Sequence, residues 1–206
     1  MVHYTIALSD CRAGIRLPYE THIGEHSECW YDTLQALRME QANNNYAFID
    51  GQNLYLSTKA NGWTLDMKRF RVYLKEKYKV SEAYYFLGYL REELQDLYSM
   101  LQRAGFIIIF REHHSGMLGN KKGNIDTDLV FEVMRNLVDE TSFGNVVLVS
   151  GDGDYKKMVD YLIKKDRFEK ILFPNRKFAS SLYKQLGNQY FVHLDNRDVR
   201  PLIART

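Results

Sequence analysis

The residues best placed to do chemistry are acids that close apolar runs. In Asn145-Val146-Val147-Leu148-Val149-Ser150-Gly151-Asp152-Gly153-Asp154-Tyr155, an unbroken apolar stretch rich in valine has the composition of a strand covered on both faces. Met158, Val159, Leu162 and Ile163 follow at helical spacing, so Asp152 and Asp154 fall at a strand's carboxyl end just ahead of a helix. Open α/β sheets bind their ligands at that edge. Asp-Gly-Asp can equally be a plain turn with a helix cap, since Asp accepts backbone N–H groups and Gly tolerates positive φ. Recurrence tips the balance. Tyr46-Ala47-Phe48-Ile49-Asp50 is a second such run, and it too is followed by glycine, Gly51.

A third acid comes from Lys122-Gly123-Asn124-Ile125-Asp126-Thr127-Asp128-Leu129. At about 100° per residue, Ile125, Leu129, Val130, Val133 and Leu137 trace one apolar arc, with Asp126 at its middle and Asp128 nearly opposite. Asp126 is therefore expected to face the sheet edge, while Asp128 stays open between a ligand and a solvated or capping residue. Carboxylates gathered in a partly desolvated cleft repel one another and raise at least one pKa, a conflict that a divalent cation removes. All-oxygen ligands without paired His or Cys select a hard ion, Mg²⁺ or Mn²⁺. Such an ion activates water and stabilises charge on a phosphoryl group, which suits hydrolysis of a phosphodiester. Asn53 either orients a carboxylate or phosphate or caps a helix, and Ser150 either meets the site or finishes its strand.

To bring these acids together the chain needs parallel strands, and its pattern supplies them. Strands are predicted over 46–50, 80–89, 106–110, 145–149, 170–173 and 190–194, separated by helices from near Leu54, over 66–78, 92–103, 125–139, 156–164 and 177–186. Regular β/α alternation with short connections implies right-handed crossovers and a three-layer α/β/α sandwich around a mainly parallel sheet. If the first and fourth strands are neighbours, Asp50 and Asp152 converge.

The motifs Phe48-Ile49-Asp50-Gly51-Gln52-Asn53, Lys122-Gly123-Asn124-Ile125-Asp126-x-x-Leu129 and Ser150-Gly151-Asp152-Gly153-Asp154-Tyr155, in that order, resemble those of the NYN domain family, the LabA-like branch of the PIN-like nucleases. The resemblance covers about residues 45–194. It implies a metal-dependent ribonuclease with Asp50, Asp126, Asp152 and Asp154 as the acidic cluster and Asn53 as the accompanying amide. Glu132 stands where the family often has a further acid, and Tyr155 where Phe is more usual. A catalytically weak RNA-binding or regulatory module is the alternative. A Toprim-type or haloacid-dehalogenase-type phosphotransferase fits less well, because the first wants Glu where Asp50 stands and the second wants Asp-x-Asp directly after its first strand.

Beyond the third strand, the loop over 111–124 carries Arg111, His113, His114, Lys121 and Lys122 toward the same edge. Cations there would hold RNA phosphates, and Tyr55 or Trp63 would offer a base a stacking surface. The alternative is an ordinary solvated loop.

At 206 residues with 45% hydrophobic content, the chain is sized for one core plus an appendage. Residues 1–42 hold six acids against three arginines, a sum of −3, so the remainder of a chain with net charge +2 carries +5. That excess suits a polyanionic partner. Cys11, His22, His26 and Cys29 match no common zinc spacing, and no disulfide is needed for the core. No apolar run approaches membrane-spanning length, so the expected location is cytoplasmic. We read 1–42 as a flexible extension, 43–196 as the domain and 197–206 as a tail, with a homodimer as one open assembly.

Overall fold

A computed structural model of the protein describes residues 44–111, 125–139 and 143–205. The six strands form one parallel sheet, in the order β3-β2-β1-β4-β5-β6: β1 (Asn45–Asp50), β2 (Val80–Leu87), β3 (Ile107–Phe110), β4 (Val146–Val149), β5 (Phe168–Phe173) and β6 (Phe191–His193). Between β1 and β4 the chain reverses the direction in which it adds strands. A sheet opens its ligand crevice at such a reversal, at the carboxyl ends of the strands. Pairing of Phe48 with Leu148 and Ile49 with Val149 brings Asp50 and Ser150 side by side there.

The covering layers follow from side-chain alternation. On one face Ala47, Ile49, Val147 and Val149 meet α1 (Gly51–Ala60), α2 (Met67–Tyr78), α3 (Gln95–Ala104) and α6 (Arg200–Ile203) through Leu54, Phe70, Leu74, Leu101 and Ile203. On the other, Phe48, Phe86 and Leu148 meet α4 (Ile125–Asp139) and α5 (Lys156–Lys164) through Leu129, Val133, Val159 and Leu162. The expected three-layer sandwich is thus present. Every residue of β1 and β4 is buried, as strands covered on both sides must be.

Two expectations change. The helix expected over 177–186 is replaced by the short 3-10 turns Arg176–Phe178 and Ser181–Tyr183. Asn175 Oδ1 accepts the Lys177 N–H and Ser180 Oγ accepts the Leu182 N–H, local bonds that start two separate turns, with Ala179 extended between them. Residues 197–205, read as a tail, pack on the domain: Val199 and Ile203 enter the core, the Asp66 N–H donates to Ile203 O, and Leu65 bridges Ala204. The extension over 1–42, with its cysteines and histidines, and His113, His114, Lys121 and Lys122 lie outside the described residues. None of the helices in the described residues is long and apolar enough to cross a membrane.

Candidate metal centre

Asp50 ends β1 and caps α1, its Oδ1 accepting the Asn53 N–H at 2.9 Å. Its other oxygen, Oδ2, lies 3.3 Å from both Ser150 Oγ and the Tyr155 hydroxyl. With 4% of its surface exposed, Asp50 forms the floor of the site and not its mouth. Burial pushes its pKa upward, and the charge of Asp126 adds to the shift. The Asn53 N–H and the Ser150 and Tyr155 hydroxyls oppose both.

Asp126 projects from the first turn of α4, where its carboxylate accepts the Tyr155 hydroxyl at 2.5 Å. Asp152 caps the turn Gly153–Tyr155, its Oδ1 accepting the Asp154 N–H at 3.0 Å. Asp126, Asp152 and Asp154 each offer a carboxylate oxygen, and the three atoms lie within 4.8 Å of one another. Asp126 and Asp152 are half-buried and Asp154 is exposed, so the group opens to solvent on one side. Asp50 stays outside this group and reaches it through the Tyr155 hydroxyl. Asp128 is half-buried on the same helix and does not join the group. Glu132 is buried and turned back on its own helix, accepting from Arg135 and from Asn136 Nδ2.

The remaining expected residues divide. Asn53 Oδ1 accepts the Gly151 N–H at 2.9 Å, which ties α1 to the loop that carries Asp152. Ser150, expected as a substrate contact, is fully buried. Its Oγ faces Asp50 and accepts the Asp152 N–H at 3.1 Å, so it holds the loop. Arg111 ends up half-buried, with its guanidinium 5.5 Å from the Tyr89 ring centre, and no described contact joins it to the acids. Trp63, offered as a stacking surface, is 7% exposed and belongs to the core.

Two tyrosines complete the site and were not assigned to it from sequence. Tyr155 is fully buried beneath the acids, and its ionisation is pushed far above the ordinary range by burial, then by Asp50 and Asp126. The Tyr183 hydroxyl donates to Asp152 O at 2.8 Å, and its ionisation is also pushed up, by burial and then by Asp152. The signal for Tyr155 was the hydroxyl it adds where Phe is more usual. For Tyr183, distant in sequence, there was none.

Chemically, the donor set is all oxygen, its charges share one sign, and its members approach closely enough to bind one ion jointly. That suits a hard divalent cation, with open positions left for water and an oxyanion.

Residues 46–195 match the family model described as the NYN domain. The chain is 26% identical over 168 residues to the Low amplitude and bright protein LabA of Synechococcus elongatus, a match spanning 77% of this chain and 87% of that protein. Among solved structures it is similar to a protein of unknown function from Vibrio parahaemolyticus, with a TM-score of 0.62 at 19% identity, covering 80% of this chain and 98% of that one. The last likeness is one of fold.

Proposed function

The chain belongs to the NYN domain family, and on that premise we propose that it is a Mg²⁺- or Mn²⁺-dependent ribonuclease that hydrolyses RNA phosphodiester bonds at its acidic edge. The observation that carries this reading is the approach of Asp126, Asp152 and Asp154 to within 4.8 Å at the carboxyl ends of parallel strands. These three side chains would hold the ion. A hard divalent cation so bound supplies charge stabilisation for a phosphoryl group and acidifies a water.

The protein's own part is to hold the acids in place. Asp50 and the Tyr155 hydroxyl fix Asp126 from below, while Asn53 and Ser150 pin the loop that presents Asp152 and Asp154. Because these supports are hydrogen-bonded, and all but Asn53 buried, the carboxylates keep their spacing without the metal having to gather them. Lys121 and Lys122 remain proposed phosphate contacts.

The test is cleavage of mixed RNA with Mn²⁺ by wild type and by Asp152→Asn. Wild type should cut, and the variant should lose at least about a hundredfold in rate, the upper end of what disturbing a residue behind a metal's ligands costs. Equal cutting by both would assign the activity to a contaminant, and no cutting by wild type would remove the nuclease reading.

A further inference from the structure

The segment over 175–183 runs along the same edge as the acids and is fixed at both ends. At one end it joins the Asp152 loop: the Ser180 N–H donates to Gly151 O at 2.9 Å and Tyr183 to Asp152 O at 2.8 Å. The packing is close, since a Cβ at Gly151 would lie 3.1 Å from Phe178 O. At the other end Asn175, 2% exposed, donates to Ser57 O at 3.1 Å, and the Arg176 N–H donates to Asp195 Oδ2 at 3.2 Å. Between these anchors Phe178 is 56% exposed and joins no ring contact among the described residues.

Beside it is a pocket of about 430 Å³ whose walls include Asn61, Asn175, Arg176, Lys177, Asp195 and Arg197. Three cations face one carboxylate there, and Asp195 Oδ2 already accepts from Asn61 Nδ2 and the Arg176 N–H. No ion pair among the described residues neutralises Arg176, Lys177 or Arg197. The pocket therefore presents net positive charge over a polar floor, which selects an anion.

Its distance from the acids follows in two ways. Helix α1 runs from Asp50 in the acid site to Asn61 in the pocket, and its ten residues span about 15 Å. From β1 to β6 there are three strand spacings, about 14 Å. The two measures agree on a separation of a few nucleotides, with an exposed aromatic ring on a rigid mount between.

We propose that this edge is a track for single-stranded RNA, in which backbone phosphate occupies the pocket of Arg176, Lys177 and Arg197, an unpaired base stacks on Phe178, and the strand continues to the acids. The chemistry of the ligand rests on the ribonuclease reading above. A single strand is specified because a lone exposed ring stacks only with a base released from pairing. Cations in a pocket hold backbone phosphate without regard to sequence, so the track selects strandedness and not base identity.

The experiment uses the full chain carrying Asp152→Asn, in chelator, with fluorescence anisotropy of a labelled mixed-sequence single-stranded oligoribonucleotide. Adding Phe178→Ala should weaken binding at least about fivefold, Phe178→Trp should retain it, and neither should change binding of a duplex of the same sequence. Adding Arg176→Ala with Lys177→Ala should reduce the slope of log affinity against log salt by about 1.4, two phosphate contacts at about 0.7 each. Lys75→Ala with Lys77→Ala removes the same charge from the end of α2, near the start of β1, and should leave that slope unchanged. A slope lowered equally by both pairs, or a Phe178→Ala effect absent or equal on duplex, would overturn the track. If wild type cuts RNA while the track variants bind as their parent, the track alone falls. If wild type cuts nothing while binding depends on Phe178 and Arg176, the track stands and the nuclease reading falls.

Discussion

Tyr155 has one hydroxyl hydrogen and two carboxylates within reach, 2.5 Å to Asp126 and 3.3 Å to Asp50. The shorter contact takes the hydrogen. Asp50 Oδ2 is left with the Ser150 hydroxyl and the weaker Tyr155 contact, both at 3.3 Å. Burial, and the charge of Asp126 after it, push the Asp50 pKa upward. The consequence for stability has a definite sign. A carboxyl whose folded pKa lies above its unfolded value of about 3.9 contributes its full stability below that pH, and loses it as pH rises through the folded pKa. In chelator, urea unfolding should therefore show wild type losing stability relative to Asp50→Asn from about pH 4 upward, with the difference flattening once Asp50 is ionised in both states. A wild-type advantage that grows with pH would mean that Asp50 is held as a carboxylate. The sequence placed Asp50 and Asp126 in one acidic cluster although two strands and three helices separate them, but the buried hydroxyl of Tyr155 that joins them was not legible there.

The turn from β1 into α1 has to lie close against β2. A Cβ at Gly51 would fall 2.6 Å from Phe86 O and 2.4 Å from Tyr85 Cε1, and a strand carbonyl cannot move aside as a side chain can. Gly51→Ala should therefore cost about 1–3 kcal/mol, as overpacking does, read as a lowered urea midpoint. Because Asp50 and Asn53 flank this turn, RNA cleavage should fall as well, and a variant with unchanged midpoint would show that the turn has room. The glycine after Asp50 was visible as part of a motif, but its reason lies in a strand that follows much later. The opposite failure occurs over 177–186, where Phe178, Leu182 and Leu186 repeat at the helical interval of four and yet form no helix. Phe178 and Leu182 are exposed, and the polar residues Asn175 and Ser180 each start a separate short turn with their own side chains. Periodicity reports a helix only when the whole apolar stripe has a layer to bury against, and here Leu186 alone of the three reaches the core.

Across the molecule, strand order decides that the acids meet and helix cover decides that the sheet stays closed. The alternation of β and α segments was readable because the central strands β1 and β4 are apolar and buried on both faces, whereas the closing step was not, because residues 197–205 carry only a short apolar pattern. The match to the family model stops at residue 195, yet Val199 and Ile203 complete the layer made by α1, α2 and α3. Backbone bonds reinforce this closure: Asp66 N–H to Ile203 O at 2.8 Å and Arg205 N–H to Thr64 O at 2.8 Å stitch the last helix to the start of α2. Pro201 in its first turn suits so short a helix, since that N–H has no partner to lose. Ile203 is fully buried, so Ile203→Ala should cost about 2–5 kcal/mol, the range for emptying a large aliphatic site. A chain ended after Asn196 should unfold at a still lower urea concentration, since it loses Val199 and the backbone stitches together with Ile203. An unchanged midpoint in the shortened chain would place the boundary of the folding unit near residue 196 and make the last helix an ornament on a core already complete.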